Sequence, residues 1–286
     1  MINSASPPPS SAEEMVLPAM PAMGPARDRR PVLNFLLDAL IGLGVLVATS
    51  IATGAAWGIG RGFTLMREAQ RQGLTPDPHA IMGALGQPGV LAQMLMALAS
   101  TWAAALVLYT WRRRATPLER AASLAAARRP TTLGWAALVA VLVFVFSNLV
   151  GFLAERAGIR PVPTNLALVD QGMQEWPVFL VLFAVVFAPA GEELLFRRVL
   201  FGRLLQAGRP WLGMLLSSVA FALLHEIPGL SGNGPLAILQ LWLVYGSMGA
   251  AFAWLYWRTG SLWGAILGHG LHNGIALAAL YWFGLQ

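Results

Sequence analysis

Long apolar segments alternate with short polar segments along this 286-residue chain. A helix needs about 20 predominantly apolar residues to cross the hydrocarbon core of a bilayer. The pattern therefore predicts an all-α, polytopic integral membrane protein with about seven to eight transmembrane helices, the eighth arising only if 81–87 or 198–206 also enters the bilayer. The predicted spans are 32–60, 89–110, 131–154, 177–197, 211–227, 236–257 and 262–284.

Composition supports this class and removes several chemistries. Hydrophobic residues make up 57% of the chain and charged residues only 11%, a balance that a soluble domain could not place on its surface. The chain contains no cysteine, which excludes disulfides, zinc–thiolate sites and cysteine nucleophiles.

The distribution of charge predicts the orientation in the membrane. All 19 basic residues are arginines and the net charge is +6, but the arginines lie between the apolar segments, which argues against a nucleic-acid partner. They concentrate in 27–30, 111–130 and 198–209. The positive-inside rule then predicts a cytoplasmic N-terminus in a multi-pass protein of the plasma (inner) membrane. Residues 1–30 have little apolar content and are expected to form a disordered cytoplasmic tail.

Two adjacent glutamates, Glu192 and Glu193, end the fourth predicted span and are followed by Arg197. Charged side chains within a bilayer are costly and usually face a protein interior or a water-filled cavity. Glu193 and Arg197 are four residues apart in the favourable order for an ion pair, whereas Glu192 is rotated about 100° away. We expect Glu193 to be a paired, structural carboxylate and Glu192 to face a cavity as a general base. The alternative is that both glutamates are solvated at the membrane boundary.

Polar residues on two later spans could complete such a site. His225 lies four residues after Phe221 on one span, and His269 and Asn273 lie four residues apart on the last, where they share a helix face. The H-E-x-x-H zinc motif is not formed, because Gly229 stands where its second histidine would be. Taken with the glutamates, these residues predict a polar cavity among the C-terminal four helices.

The motifs E-E-x-x-x-R, F-x-x-x-H and H-x-x-x-N, in this order on successive spans, resemble those of the CPBP group of intramembrane proteases. That group includes the type II CAAX prenyl endopeptidases and bacteriocin-processing or self-immunity proteins. The resemblance covers roughly residues 175–285, and no motif position departs from the pattern. The matching residues are Glu192, Glu193, Arg197, Phe221, His225, His269 and Asn273.

This resemblance implies an intramembrane endopeptidase. Glu192 and His225 would hold and deprotonate a water, and His269 and Asn273 would stabilise the oxyanion formed at the scissile carbonyl. Glu193 and Arg197, together with Phe221, would hold the site in place. Glu192, His225 and His269 would also make a three-ligand zinc set, but the metal-free mechanism needs the same residues and is favoured.

The resemblance also implies a domain organisation and a substrate class. Residues 31–130 would be N-terminal transmembrane helices and 131–286 the catalytic helical core. The expected partners are the lipid bilayer and a peptide or membrane-protein substrate, either prenylated or carrying a leader peptide. Two other functions stay open: a catalytically inert membrane binding or immunity protein, and a proton-coupled transporter, although no pair of related halves is evident.

Three structural expectations accompany this site. Glu192 and His225 can meet only if the glutamate helix continues past Arg198 toward Leu205, so coil from Arg198 to Leu204 would count against the site. Asp38, which stands apart in the first span, is expected to be interfacial. The loop 155–176 is expected to cover the cavity mouth.

Overall fold

The computed structural model describes residues 28–75 and 77–284, and these residues form ten helices and no strand. The predicted disordered tail therefore lies outside the described residues, apart from 28–30. In chain order the helices are α1 (Pro31–Arg71), α2 (Pro78–Gly83), α3 (Val90–Arg112), α4 (Pro117–Ala127), α5 (Pro130–Arg156), α6 (Leu166–Glu175), α7 (Pro177–Gln206), α8 (Pro210–His225), α9 (Pro235–Thr259) and α10 (Leu262–Phe283).

The architecture confirms an all-α, polytopic membrane protein. Within the described part of the chain, α1, α3, α5, α7 and α9 are long and apolar enough to cross a membrane. Helix α8 is apolar but has 16 residues, and α10 has 22 residues and carries the polar side chains of the third motif. That these two helices are the sixth and seventh spans stays a prediction. Neither proposed eighth span is separate, because α2 has only six residues and 198–206 belongs to α7.

Helix α1 is longer than the predicted span. It continues to Arg71, 41 residues in all, which is about 60 Å or twice the hydrocarbon thickness of a bilayer. The sequence offers no strong stop signal between 61 and 71, where Leu, Met, Arg, Glu, Ala and Gln favour helix. The helix ends just before Gly73, which has a φ of +71° that suits glycine.

Helix α7 is continuous through the arginines that follow the glutamates, as the site requires. It contains two π-helical stretches, Phe183–Phe187 and Leu194–Phe201, and then runs on to Gln206. Glu192 and His225 are therefore each about 20 Å from the turn between Gln206 and Pro210, measured along their own helices. Because the end of α7 and helix α8 run antiparallel from this turn over equal lengths, the two side chains lie at the same depth.

Helix α7 is also the centre of the core. Its side chains Leu195, Phe196, Val199, Leu200 and Leu204 are nearly inaccessible to solvent and form one hydrophobic cluster with residues of α1, α3, α5, α8 and α9. Many large apolar side chains on the outer faces of the helices are exposed, as expected for surfaces that contact lipid rather than water.

Asp38 does not stand apart from other charged residues, contrary to expectation, whereas its interfacial depth in the membrane stays a prediction. Its side chain is fully buried and forms ion pairs with Arg112 of α3 and Arg203 of α7, the second at 2.6 Å. Arg203 also contacts Asp28 at 2.7 Å. A buried carboxylate requires such partners, and the sequence alone could not reveal that α3 and α7 supply them.

Candidate active site

Five ionisable side chains from three helices converge in the interior of the bundle, and we refer to them as the polar cluster: Glu192, Glu193, Arg197, His225 and His269. Glu193, Arg197 and His269 are buried. Glu192 and His225 keep side-chain exposures of 19% and 24%, so these two groups border an accessible space. The alternative that both glutamates are solvated at the boundary does not fit a Glu193 side chain with no exposed surface.

Glu192 lies between the two histidines. Its Oε2 is 3.9 Å from Nε2 of His225 and 3.9 Å from Nε2 of His269. These distances are too long for direct hydrogen bonds. A water hydrogen-bonded to the carboxylate and to an imidazole would bridge such a separation. The predicted association of Glu192 with a histidine from each of the two later motifs is therefore present in the structure.

The other ring nitrogen of each histidine fixes its tautomer. Nδ1 of His225 donates to the carbonyl of Phe221 at 2.8 Å, and Nδ1 of His269 donates to Oε1 of Glu193 at 2.9 Å. Carbonyl and carboxylate oxygens only accept, so each Nδ1 carries a proton. In a neutral ring Nε2 then presents its lone pair toward Glu192. Because its Nδ1 proton is already used in this bond, His269 can donate from Nε2 only as an imidazolium.

Glu193 and Arg197 form the predicted ion pair. Arg197 Nη2 donates to Glu193 Oε1 at 3.1 Å, and Nε lies 2.8 Å from Oε2 in close electrostatic contact without hydrogen-bond alignment. The guanidinium lies among the rings of Phe196, Phe221 and Phe252, with carbon-to-centroid distances of 5.8, 5.1 and 5.9 Å. Cation–π attraction of this kind is strongest where water is excluded.

Aromatic rings hold both imidazoles. The ring of Phe221 stacks on His225 with centroids 4.1 Å apart, a contact that restricts the orientation of the imidazole. Tyr245 of α9 packs against His225 at 4.7 Å, and Phe252 stacks on His269 at 4.6 Å. Neither Tyr245 nor Phe252 was predicted, because α9 carries no charged residue at this depth to mark it.

Asn273 has a partner in the irregular part of α7. Its Nδ2 donates to the carbonyl of Ala184 at 2.8 Å. Pro189 has no N–H, so a carbonyl about one turn earlier lacks its usual donor. This bond uses one of the two amide hydrogens of Asn273 and leaves the other available.

A third carboxylate, to which the sequence assigned no role, lies beside His225. Glu226 is fully buried and accepts hydrogen bonds from Thr164 at 2.5 Å, from Asn233 at 3.0 Å and from Ser231. Burial alone would raise the pKa of Glu226, but these three hydrogen bonds lower it below the usual glutamate value.

Glu226 therefore ties the end of α8 to two loops. Asn233 also holds both the N–H and the carbonyl of Val162, so residues 162–164 are fixed next to the His225 end of α8. In the sequence, only the polar residues Ser231 and Asn233 indicated that this loop could bind a carboxylate. That the 155–176 loop covers the cavity mouth stays a prediction.

The donor set of Glu192, His225 and His269 has the chemistry of a zinc site, with a carboxylate and two imidazole lone pairs. Among residues 28–75 and 77–284, however, no group of three or more histidine, aspartate or glutamate side chains stands close enough together to hold a metal ion. The side chains as positioned do not form a metal site, and a metal would require them to move inward.

Comparison with known proteins finds a family model and a curated relative that resemble part of this chain. Residues 174–275 match the family described as "Type II CAAX prenyl endopeptidase Rce1-like". The "Putative membrane peptidase YdiL" of Bacillus subtilis (strain 168) is 31% identical over 116 residues, which cover 41% of this chain and 43% of that protein. The chain thus matches less than half the length of this relative. No solved structure matches the chain.

Proposed function

We propose that this protein is a membrane endopeptidase of the CPBP group in which Glu192 activates a water, and the match of residues 174–275 to the Rce1-like family supports this assignment. The observation that carries the proposal is the position of the Glu192 carboxylate, 3.9 Å from two imidazole Nε2 atoms in a partly accessible space. A single water hydrogen-bonded to Glu192 and to His225 Nε2 would satisfy both acceptors.

In the proposed reaction Glu192 takes a proton from this water as the oxygen attacks the scissile carbonyl. The developing oxyanion is stabilised by the free amide hydrogen of Asn273 and by His269, which must be protonated to donate from Nε2. Glu193 accepts the hydrogen bond from Nδ1 and so holds the imidazole of His269 in its orientation. Glu192 then transfers its proton to the leaving amine, so the carboxylate is regenerated when the peptide bond breaks.

We propose that no metal takes part, because the Glu192 carboxylate lies close enough to both imidazoles for a water to bridge them and can activate that water without a metal. Purified protein would be assayed after treatment with a chelator and after addition of zinc, with its metal content recorded. Activity that survives complete metal removal supports the proposal. Loss on chelation and recovery with zinc would instead assign Glu192, His225 and His269 as ligands.

The substrate is proposed to be a membrane protein or a peptide presented at the membrane, with either a prenylated C-terminus or a leader segment. The N-terminus is proposed to be cytoplasmic, which would place the arginine-bearing turns at 111–130 and 198–209 on the cytoplasmic side of the plasma membrane. Reporter fusions at the N-terminus and in the 155–176 loop would test this orientation, since opposite sides are expected.

The decisive experiment compares new peptide termini in membranes that carry the wild type, Glu192→Gln or Glu155→Gln. Glu155 is exposed on α5, so its substitution makes the same chemical change away from the site. Termini present with the wild type and Glu155→Gln but absent with Glu192→Gln support the proposal and identify the substrate class. Identical termini in all three, with folded protein, would favour an inert binding or immunity role.

A further inference from the structure

A cavity that is separate from the polar cluster lies beside α7. It has a volume of about 520 Å³, and we call it the side cavity. Ala190 and Leu194 of α7 line it, whereas Glu192 lies between them in sequence and is rotated about 200° from Ala190, toward the other side of the helix. Its walls are largely apolar and include Trp102, Tyr256, Trp263 and Ile266. The volume is in the range of about 300–1,000 Å³ that is typical of ligand sites.

The rim of the side cavity is positively charged. Arg120, Arg129 and Arg258 all line it. The Arg258 guanidinium lies 5.6 Å from the centre of the Trp135 ring. Arg120 and Arg129 are exposed and have no ion-pair partner within residues 28–75 and 77–284.

The one carboxylate in the cavity wall is already paired. Glu119 contacts Arg198, also in the wall, at 2.9 Å. Burial on its own would raise the pKa of Glu119, but a backbone hydrogen bond from Thr116 and the charge of Arg198 lower it below the usual range. With this pair neutralised, the remaining wall charges are those of the three rim arginines. The cavity therefore selects for a negatively charged ligand.

The mouth of the side cavity is apolar next to the arginines. Leu124 and Trp263 line the cavity and are 43% and 53% exposed. Tryptophan is enriched at the membrane–water interface because its ring is apolar and its N–H is polar. A ligand that fits must place an apolar body among Trp102, Leu194 and Ile266 and an anionic group at the rim.

We propose that the side cavity is a binding site for an anionic phospholipid, with one acyl chain in the apolar body and the phosphate at the arginine rim. Arginine recognises phosphate through paired hydrogen bonds, and basic pockets between transmembrane helices bind anionic lipid headgroups. The bound lipid would connect α4 to α7 on the side away from Glu192. This site does not depend on the proposed proteolysis, so either can fail without the other.

The test measures lipid binding to the purified full-length protein in detergent. The probes are dioleoyl phosphatidylglycerol and dioleoyl phosphatidylcholine, which share their acyl chains and differ in headgroup charge, and the readout is the lipid concentration needed to raise the melting temperature. The test variant is Arg120→Gln/Arg129→Gln. The matched control is Arg114→Gln/Arg128→Gln, which removes two exposed arginines of the same segment that do not line the cavity.

The wild type is expected to prefer phosphatidylglycerol. Each rim arginine should contribute about fivefold in affinity, so the test variant should bind phosphatidylglycerol roughly 25-fold more weakly while the control changes little. Ala122→Phe, which fills the cavity, should weaken binding of both lipids. The absence of a headgroup preference in the wild type, or equal losses in test and control variants, would overturn the proposal. So would unchanged binding in Ala122→Phe, because it would mean that no acyl chain enters.

Discussion

Replacing Arg197 with methionine is expected to destabilise the protein strongly. The substitution keeps a long apolar stem but leaves the Glu193 carboxylate buried with only His269 as a partner. Breaking a buried ion pair by removing one member costs about 3–5 kcal/mol. The remaining bond from His269 should keep the loss near the lower end, about 3 kcal/mol, which corresponds to a fall in melting temperature of roughly 6–12 °C.

The assay is thermal unfolding in detergent followed by intrinsic fluorescence, for which the chain has 11 tryptophans. Arg128→Met is the control, because Arg128 is exposed and surface substitutions usually stay within about 0.5 kcal/mol. Glu193→Gln/Arg197→Met should melt above the single variant, since it leaves no unpaired charge. If Arg197→Met melts within about 2 °C of the wild type, the pair does not hold the fold and this reasoning is refuted.

Three further changes test other parts of the structure. Gly270→Ala would push a methyl group into the carbonyl oxygen of Val185 and should cost about 1–3 kcal/mol; an unchanged melting temperature would contradict this close approach. Asp38→Asn should lower the melting temperature, because Arg112 loses its carboxylate partner and the largely buried Arg203 keeps only Asp28; equal stability would show that the pairs with Asp38 add nothing. Because the folded pKa of Glu226 is lowered, its contribution to stability is present above the ordinary glutamate value and is lost as the pH falls through the folded value. Glu226→Gln should therefore reduce the acid sensitivity of unfolding below about pH 4, and identical pH profiles would argue against this contribution.

The membrane class and the meeting of the three motifs were predictable from sequence. Apolar length identifies membrane helices directly. The spacing of Glu193 and Arg197 identified their ion pair, because contacts between residues four apart on one helix are local. The requirement that the glutamate helix continue toward Leu205 followed from equal distances along two antiparallel helices, and α7 meets it.

Contacts between distant segments were not predictable in the same way. The hydrogen bond between His269 and Glu193 joins residues 76 positions apart. A single sequence contains no pattern that indicates such a long-range pair. Asp38 appeared isolated because its arginine partners are on other helices. In the sequence, Tyr245 and Phe252 look like any other aromatic residues of an apolar helix. Only the packing of α9 against α8 and α10 brings them into contact with the histidines.

Because of the π-helical stretch Phe183–Phe187, the direction in which the groups of α7 point depends on the number of residues in the helix. A π turn holds one residue more than an α turn needs, so deleting one residue here could restore a regular helix without breaking it. The segment on one side of the deletion would then rotate by about 100° relative to the other. The Ala184 carbonyl would turn away from Asn273 while Glu192 kept its neighbours. In this helix the count of residues, independently of their identity, sets which groups face the same space.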